Sequence, residues 1–188
     1  MNDMSPESGR SPDRSPDRSP ERDRSSEYQR SPGREGPPEK DATGSGECPV
    51  EGVEPLDHTA DLGIRVEADD LPTLFRRAGM GALWLSLGRL PETGSAGRSL
   101  RIEATDPGEL LRRWLQEILY LQEVEDFTVQ DVPSLQLAET ADGMELEAEL
   151  AGGVPPPDPA REIKGVTRHG LEMEERDGRW LAEVVFDV

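Results

Sequence analysis

Asp106-Pro107-Gly108-Glu109-Leu110-Leu111-Arg112-Arg113-Trp114-Leu115-Gln116-Glu117-Ile118-Leu119 is the stretch from which the fold is read. Asp106 carries the short carboxylate of an N-cap. Pro107 suits the first helical position, where its missing N–H would have no partner, and Glu109 stands where a capping box places an acid. Leu110, Leu111, Trp114, Leu115, Ile118 and Leu119 then recur at the 3.6-residue period of a helix. That spacing reads as a core stripe rather than an aromatic ligand site. Gln116, Glu117 and Tyr120 fall away from its centre, toward a site or a partner.

Upstream, Ile64-Arg65-Val66-Glu67-Ala68 alternates as a half-buried strand does. Asp70 is a second N-cap, with Leu71 and Pro72 in the first turn, and Leu71, Leu74, Phe75, Ala78, Ala82 and Leu85 share a helical face. Gly79 and Gly81 each weaken that helix by roughly 1 kcal/mol relative to Ala, which makes sense only if a neighbour packs closely against them. Gly88 is the expected stop, residues 91–97 a loop, and Leu100-Arg101-Ile102-Glu103-Ala104 a second alternating strand.

Downstream, the expected strands are residues 127–132, 135–138, 144–150, 162–174 and 180–187, the fourth interrupted at His169-Gly170. Asp142-Gly143 and Asp177-Gly178 read as hairpin turns, because these residues tolerate the left-handed backbone such turns require. The Gly- and Pro-rich run over residues 152–159 reads as a crossover loop rather than a lid. Two strand–helix units followed by hairpins predict a single α+β domain over residues 51–188, one mixed or antiparallel sheet with both helices packed on one face.

Residues 1–50 form a different region. Ser-Pro-Asp-Arg recurs from Ser11, and such a composition buries too little apolar surface to offset backbone ordering, so a disordered tail is expected. A solubilising extension is the simpler reading, a docking or phosphorylated arm the sharper one. The hydrophobic fraction of 33% fits a partly unfolded chain. Cys48 is the one cysteine, which leaves no intramolecular disulfide and suits a reducing compartment. With no membrane-length apolar run and no secretory signal, a soluble cytoplasmic protein is expected.

Net charge is −19 overall; residues 1–50 hold 8 Lys/Arg against 11 Asp/Glu, leaving 13 against 29, a net of −16, for residues 51–188. An acidic domain of this kind repels phosphate, so direct high-affinity binding of nucleic acid is not expected. Cations and basic protein surfaces are the natural partners.

The chemistry-bearing run is Asp57-His58-Thr59-Ala60-Asp61-Leu62-Gly63-Ile64. Asp57 or His58 has the chemistry of a general acid-base, yet no nucleophile stands beside a base, and Cys48 lies in the tail. Asp61 on a loop and Asp187 at the end of the last strand would supply hard oxygen ligands if the fold brings them together, a terminal carboxylate at Val188 adding another. Oxygen-only ligation favours Mg²⁺, Ca²⁺ or Mn²⁺ over Zn²⁺. On the residues alone, Asp61 reads first as a turn-forming Asp and Asp187 first as a solvated carboxylate, while Lys164 reads equally as a solvated strand lysine.

Four stretches together, Asp57 to Ile64, Trp114-Leu115-Gln116-Glu117-Ile118-Leu119-Tyr120-Leu121, Ile163-Lys164-Gly165-Val166-Thr167-Arg168-His169-Gly170-Leu171 and Asp187-Val188, resemble the archease family over residues 55–188. The resemblance implies a small α+β protein, not itself a ligase, that activates an RtcB-type GTP-dependent RNA ligase of tRNA splicing and RNA repair. Such a protein promotes guanylylation of the ligase and its repeated turnover. It implies a metal site at Asp61, Asp187 and Val188, occupied by a divalent cation such as Ca²⁺, Mg²⁺ or Mn²⁺, and a role in ligase activation for Lys164 alongside Asp61 and Asp187. His58 and His169 match motif positions without an assigned chemical step. Gln116 stands where the family often has Asn, the glycines of the first helix are unusual for it, and the tail lies outside its pattern. Two other classes compete: a metal-dependent hydrolase with water activated between Asp61 and Asp187 and a histidine as base, and a general chaperone-like binding module.

Overall fold

A computed structural model describes residues 47–57, 62–92, 94–155 and 159–188, with Asp57 and His169 described by their backbone alone. Of the tail expected over residues 1–50, only residues 47–50 are described, and Cys48, read as part of that tail, is instead buried in the core; the rest of the tail lies outside the described residues, as do His58 and Asp61. The elements are β1 (Val53–Asp57), β2 (Leu62–Ala68), α1 (Leu71–Leu87), β3 (Ala96–Ala104), α2 (Pro107–Glu123), β4 (Thr128–Thr140), β5 (Gly143–Gly153), β6 (Gly165–Arg176) and β7 (Arg179–Asp187).

The α+β class holds, with two helices and antiparallel pairing throughout. The strands do not form one sheet, however. They divide into a four-stranded sheet in the order β1-β2-β7-β6 and a three-stranded sheet in the order β3-β5-β4. Alternation marks a strand as half-buried but does not name its partner. Here β3 takes β5 along its whole length, from Ala96 opposite Gly152 to Ala104 opposite Met144, while β2 takes β1 and β7. Both helices touch strands of both sheets, so the helix pair is shared between them instead of covering one.

Both helices start as their sequences dictate. Asp70 accepts a hydrogen bond from the Thr73 N–H at 2.7 Å, and Asp106 accepts one from the Glu109 N–H at 2.9 Å. The capping box at α2 is only half made, because the Glu109 carboxylate turns away to arginines. At the far end of α1, Gly88 takes the left-handed conformation (φ 68°) and donates to the Trp84 carbonyl at 2.8 Å, a stop that favours glycine.

The two glycines of α1 have the predicted reason. A Cβ on Gly79 would stand 2.6 Å from Ile118 Cδ1 and 3.1 Å from Trp114 Nε1, and one on Gly81 would stand 2.8 Å from Val53 Cγ1. Helix α1 thus passes between α2 and β1 at backbone distance. Its buried surface is wider than the predicted stripe, since Leu83, Trp84 and Leu87 are buried with Leu74, Phe75, Ala78, Ala82 and Leu85. The stripe of α2 is buried as read, and the fully buried Trp114 donates its indole N–H to the Phe75 carbonyl at 2.8 Å. Leaving that donor unpaired in the core would cost about 1–3 kcal/mol.

Three local expectations are adjusted. The strands predicted at 127–132 and 135–138 run together as β4, with register shifts on either side of Asp131 absorbing the irregularity around Pro133. The turn before β5 is Ala141-Asp142, since Thr140 already pairs with Gly143. The turn at Asp177-Gly178 is as predicted, both residues having positive φ (54° and 76°) and Arg176 pairing with Arg179, the geometry of a type I′ hairpin. Strand β1, which the sequence reading left unassigned, forms the edge beside β2.

Candidate functional site

One end of the four-stranded sheet gathers the residues singled out in the sequence. Asp57, the last residue of β1, pairs with Leu62, the first of β2; Leu62 pairs with Phe186 of β7; and Phe186 pairs with Val166 of β6. Asp187 pairs with Gly165, and the Lys164 N–H donates to the Asp187 carbonyl at 2.8 Å. Lys164 and Asp187, far apart in sequence, are thus main-chain neighbours with exposed side chains. Buried Ile163, Val166 and Phe186 fix the backbone on which they stand. Val188 follows, exposed.

Asp57 belongs to the same sheet end by backbone position, about two strand spacings, or roughly 10 Å, from β7. Asp61 and His58 lie outside the described residues, so the expected common reach of Asp61 and Asp187 is an expectation still. Leu62, which follows Asp61 in the chain, stands opposite Phe186, which precedes Asp187.

His169 lies on β6 where the ladder breaks. Register passes from Val166 opposite Phe186 directly to Leu171 opposite Val184, so the four residues 167–170 face the single residue Val185. The interruption predicted at His169-Gly170 is this bulge, which bends the strand and re-aims its side chains. Thr167 Oγ1 donates to the Val185 carbonyl at 3.3 Å, and a Cβ on Gly170 would stand 2.5 Å from Val185 Cβ and 2.6 Å from Thr167 Oγ1. Only glycine fits that close approach.

The bulge carries Arg168 toward the start of α2, where an ion-pair cluster forms that the sequence reading did not single out. Glu109 accepts from Arg112 Nε at 2.8 Å and Nη2 at 2.6 Å and from Arg113 Nε at 3.0 Å, with Arg168 Nη2 at 3.7 Å. These guanidinium groups, Arg112 first, hold the Glu109 carboxyl at a pKa of about 2. The spacing of Glu109 to Arg112 and Arg113 was visible as i,i+3 and i,i+4 pairs. Arg168 was not, because it arrives through the fold.

Among the described residues, no group of three or more His, Cys, Asp or Glu is placed to hold a metal ion. The donors that the sheet end offers, the Asp187 carboxylate and a main-chain oxygen of Val188, are hard oxygens, which fit Ca²⁺, Mg²⁺ or Mn²⁺ rather than a thiophilic ion. Among the described residues, no helix is long and apolar enough to cross a membrane.

Comparison with known proteins bears on the whole domain. The model of the Archease protein family (MTH1598/TM1083) matches residues 54–188. The chain is 30% identical over 139 residues to the protein archease of Thermococcus kodakarensis, covering 72% of this chain and 97% of that protein. It is 31% identical over 140 residues to the protein archease of Methanopyrus kandleri, covering 72% and 98%. The solution structure of Methanobacterium thermoautotrophicum protein 1598 is similar with a TM-score of 0.61 at 27% identity, covering 73% of this chain and 99% of that one. The matched region contains the helices, both sheets and the sheet end that carries Lys164 and Asp187. On this match and these relatives, the chain belongs to the archease protein family.

Proposed function

We propose that this chain is a non-enzymatic protein cofactor that activates an RtcB-type GTP-dependent RNA ligase, promoting its guanylylation and repeated turnover in tRNA splicing or RNA repair in the cytoplasm. The observation that carries the reading is the junction of Lys164 with Asp187 at one sheet end, tied by the 2.8 Å main-chain hydrogen bond. It brings two separate motifs to one sheet end, with an exposed lysine and an exposed aspartate on neighbouring stretches of main chain.

Asp187, a main-chain oxygen of Val188 and Asp61 would hold a divalent cation of the Ca²⁺, Mg²⁺ or Mn²⁺ class. Asp61 is bonded to Leu62, whose partner is Phe186; this neighbourhood supports its membership of the set. When bound, such an ion supplies Lewis acidity and charge neutralisation. Lys164 offers a compact ammonium to a negative group of the ligase, and the carboxylates steer the domain toward a basic ligase surface, which speeds encounter. Asp57, His58 and His169 are neighbours without a step assigned to them.

Guanylylation of the ligase, followed with labelled GTP, tests the reading. Asp61→Ala, Lys164→Ala and Asp187→Ala should each slow it, on the order of tenfold or more, and chelation of divalent ions should weaken the parent's effect. If all three variants accelerate the ligase as well as the parent does, the proposed site is wrong.

A further inference from the structure

The basic cluster at the start of α2 is at odds with the charge of its domain. Residues 51–188 carry −16, yet Arg112, Arg113 and Arg168 converge on an open hollow beside Thr105 and Leu171. Two carboxylates share the hollow, and both are engaged. Asp106 accepts from the Glu109 N–H at 2.9 Å and from Thr105 Oγ1 at 3.0 Å. Glu109 is chelated by Arg112, whose remaining Nη1 donates to Gln116 Oε1 at 2.6 Å. Arg113 Nη1 donates to the Glu103 carbonyl at 2.8 Å and Nε to Glu109 at 3.0 Å, which leaves Nη2 without a hydrogen-bond partner among the described residues. Arg168 is 74% exposed and reaches Glu109 at 3.7 Å, an ion pair without hydrogen-bond contact. A fork of guanidinium donors therefore stands open on a surface that elsewhere repels anions.

We propose that this hollow receives one acidic side chain of a partner protein, held between Arg168 and Arg113. Three guanidinium groups against two carboxylates give the lining a net charge of +1, which one carboxylate balances. A chain of phosphodiesters would meet the −16 of the surrounding domain after its first contact, which disfavours nucleic acid as the occupant. The planar fork of arginine matches a carboxylate in two hydrogen bonds, giving orientation as well as attraction. Arg112 is pre-organised by Glu109, so little side-chain freedom is lost on that side when the partner arrives. Arg168 lies on β6 four residues beyond Lys164, which immediately precedes that strand, and so is at most about 14 Å from it even if the chain is fully extended. The hollow is therefore a second docking point within the footprint of one partner. It fixes the register in which the sheet end is presented, and this part of the inference rests on the function proposed above.

The test is equilibrium binding of the full chain to the ligase, at low and high salt, with Arg168→Glu, Arg113→Gln and Arg168→Lys variants. Arg168→Glu should weaken binding about tenfold or more, and Arg113→Gln several-fold; Arg168→Lys, which keeps the charge but not the planar fork, should recover only part of the loss, and the two variants that remove charge should lose less affinity than the parent when salt is raised. Arg168 is exposed, and an unchanged thermal midpoint of Arg168→Glu separates a docking loss from a folding loss. If the parent binds and Arg168→Glu binds equally well, the hollow is not a docking point while the activator reading stands. A parent that does not bind the ligase at all removes both. Saturable binding of a single-stranded RNA by the parent, abolished in Arg168→Glu, would assign the hollow to phosphodiesters and overturn the acidic-side-chain reading.

Discussion

Two ion-pair clusters in this molecule are mirror images in composition. On the outer face of the three-stranded sheet, one arginine, Arg101, stands among three glutamates: it pairs with Glu145, lies 3.6 Å from Glu147 and 3.8 Å from Glu103. At the start of α2, one glutamate, Glu109, stands among Arg112, Arg113 and Arg168. The first is what an acidic chain yields by default, a lone cation collecting surplus carboxylates across neighbouring strands. Arg101 is 61% exposed, so water and salt screen it and the cluster contributes little. The second runs against the composition. Glu109 and Arg112 are only 15% and 16% exposed, the Glu109 carboxyl is held at about 2, and an arginine is brought in from another strand. Like residue types in opposite ratio thus give a self-neutralising surface in one place and an open cationic fork in the other.

The contrast depends on α2 standing where α1 places it, so the largest way to break it is to push the helices apart. Gly79→Val would place methyls against Ile118 and Trp114 where even a Cβ stands 2.6 Å from Ile118 Cδ1. Over-packing of that kind should cost about 3 kcal/mol, read as a lower urea midpoint; a variant as stable as the parent would show that the spacing at Gly79 does not set the position of α2.

The next largest effect should come from removing the central charge of the second cluster. Glu109→Gln should destabilise the domain by about 1–2 kcal/mol at pH 7, on the scale of charge-assisted hydrogen bonds at a partly exposed site. The sign in pH follows from the lowered value: the carboxyl titrates from 4.5 when unperturbed down to about 2 in the folded state. Its stabilisation is fully present above 4.5 and declines as pH falls toward about 2. Thermal midpoints of parent and variant should therefore converge between pH 5 and pH 2, and a gap that stays constant with pH would remove ionic pairing as the cause.

Arg101→Ala should give the smallest effect, within about 0.5 kcal/mol, and that effect should shrink further as salt is raised. A loss comparable to that of Glu109→Gln would erase the distinction between the two clusters.

How much of this was legible in the sequence varies from residue to residue. Asp70, Gly88, Asp106 and Asp177-Gly178 act through hydrogen bonds and dihedral angles a few residues away, so their roles could be read directly. The stripe of α2 and the need for close packing at Gly79 and Gly81 were also legible, because helical period and glycine's cost are local properties. The division into two sheets was not, since β3 carries no mark of preferring β5 to β2. Strand β1 is not legible in the sequence, because Val53–Asp57 is short and runs directly into the polar motif that follows it.

The candidate site divides in the same way. Sequence determined which residues carry charge and chemistry: Asp57, Lys164, His169, Asp187, and the glutamate-to-arginine spacing on α2. Tertiary structure decided which of them meet. Antiparallel pairing of β6 with β7 sets Lys164 against Asp187, and a bulge facing Val185 sends Arg168 to Glu109. Local propensity acts over a turn of chain, whereas register and bulges are fixed by side chains distant in sequence competing for one core; that competition has no local signature, and it is what brought the separate motifs to one end of one sheet.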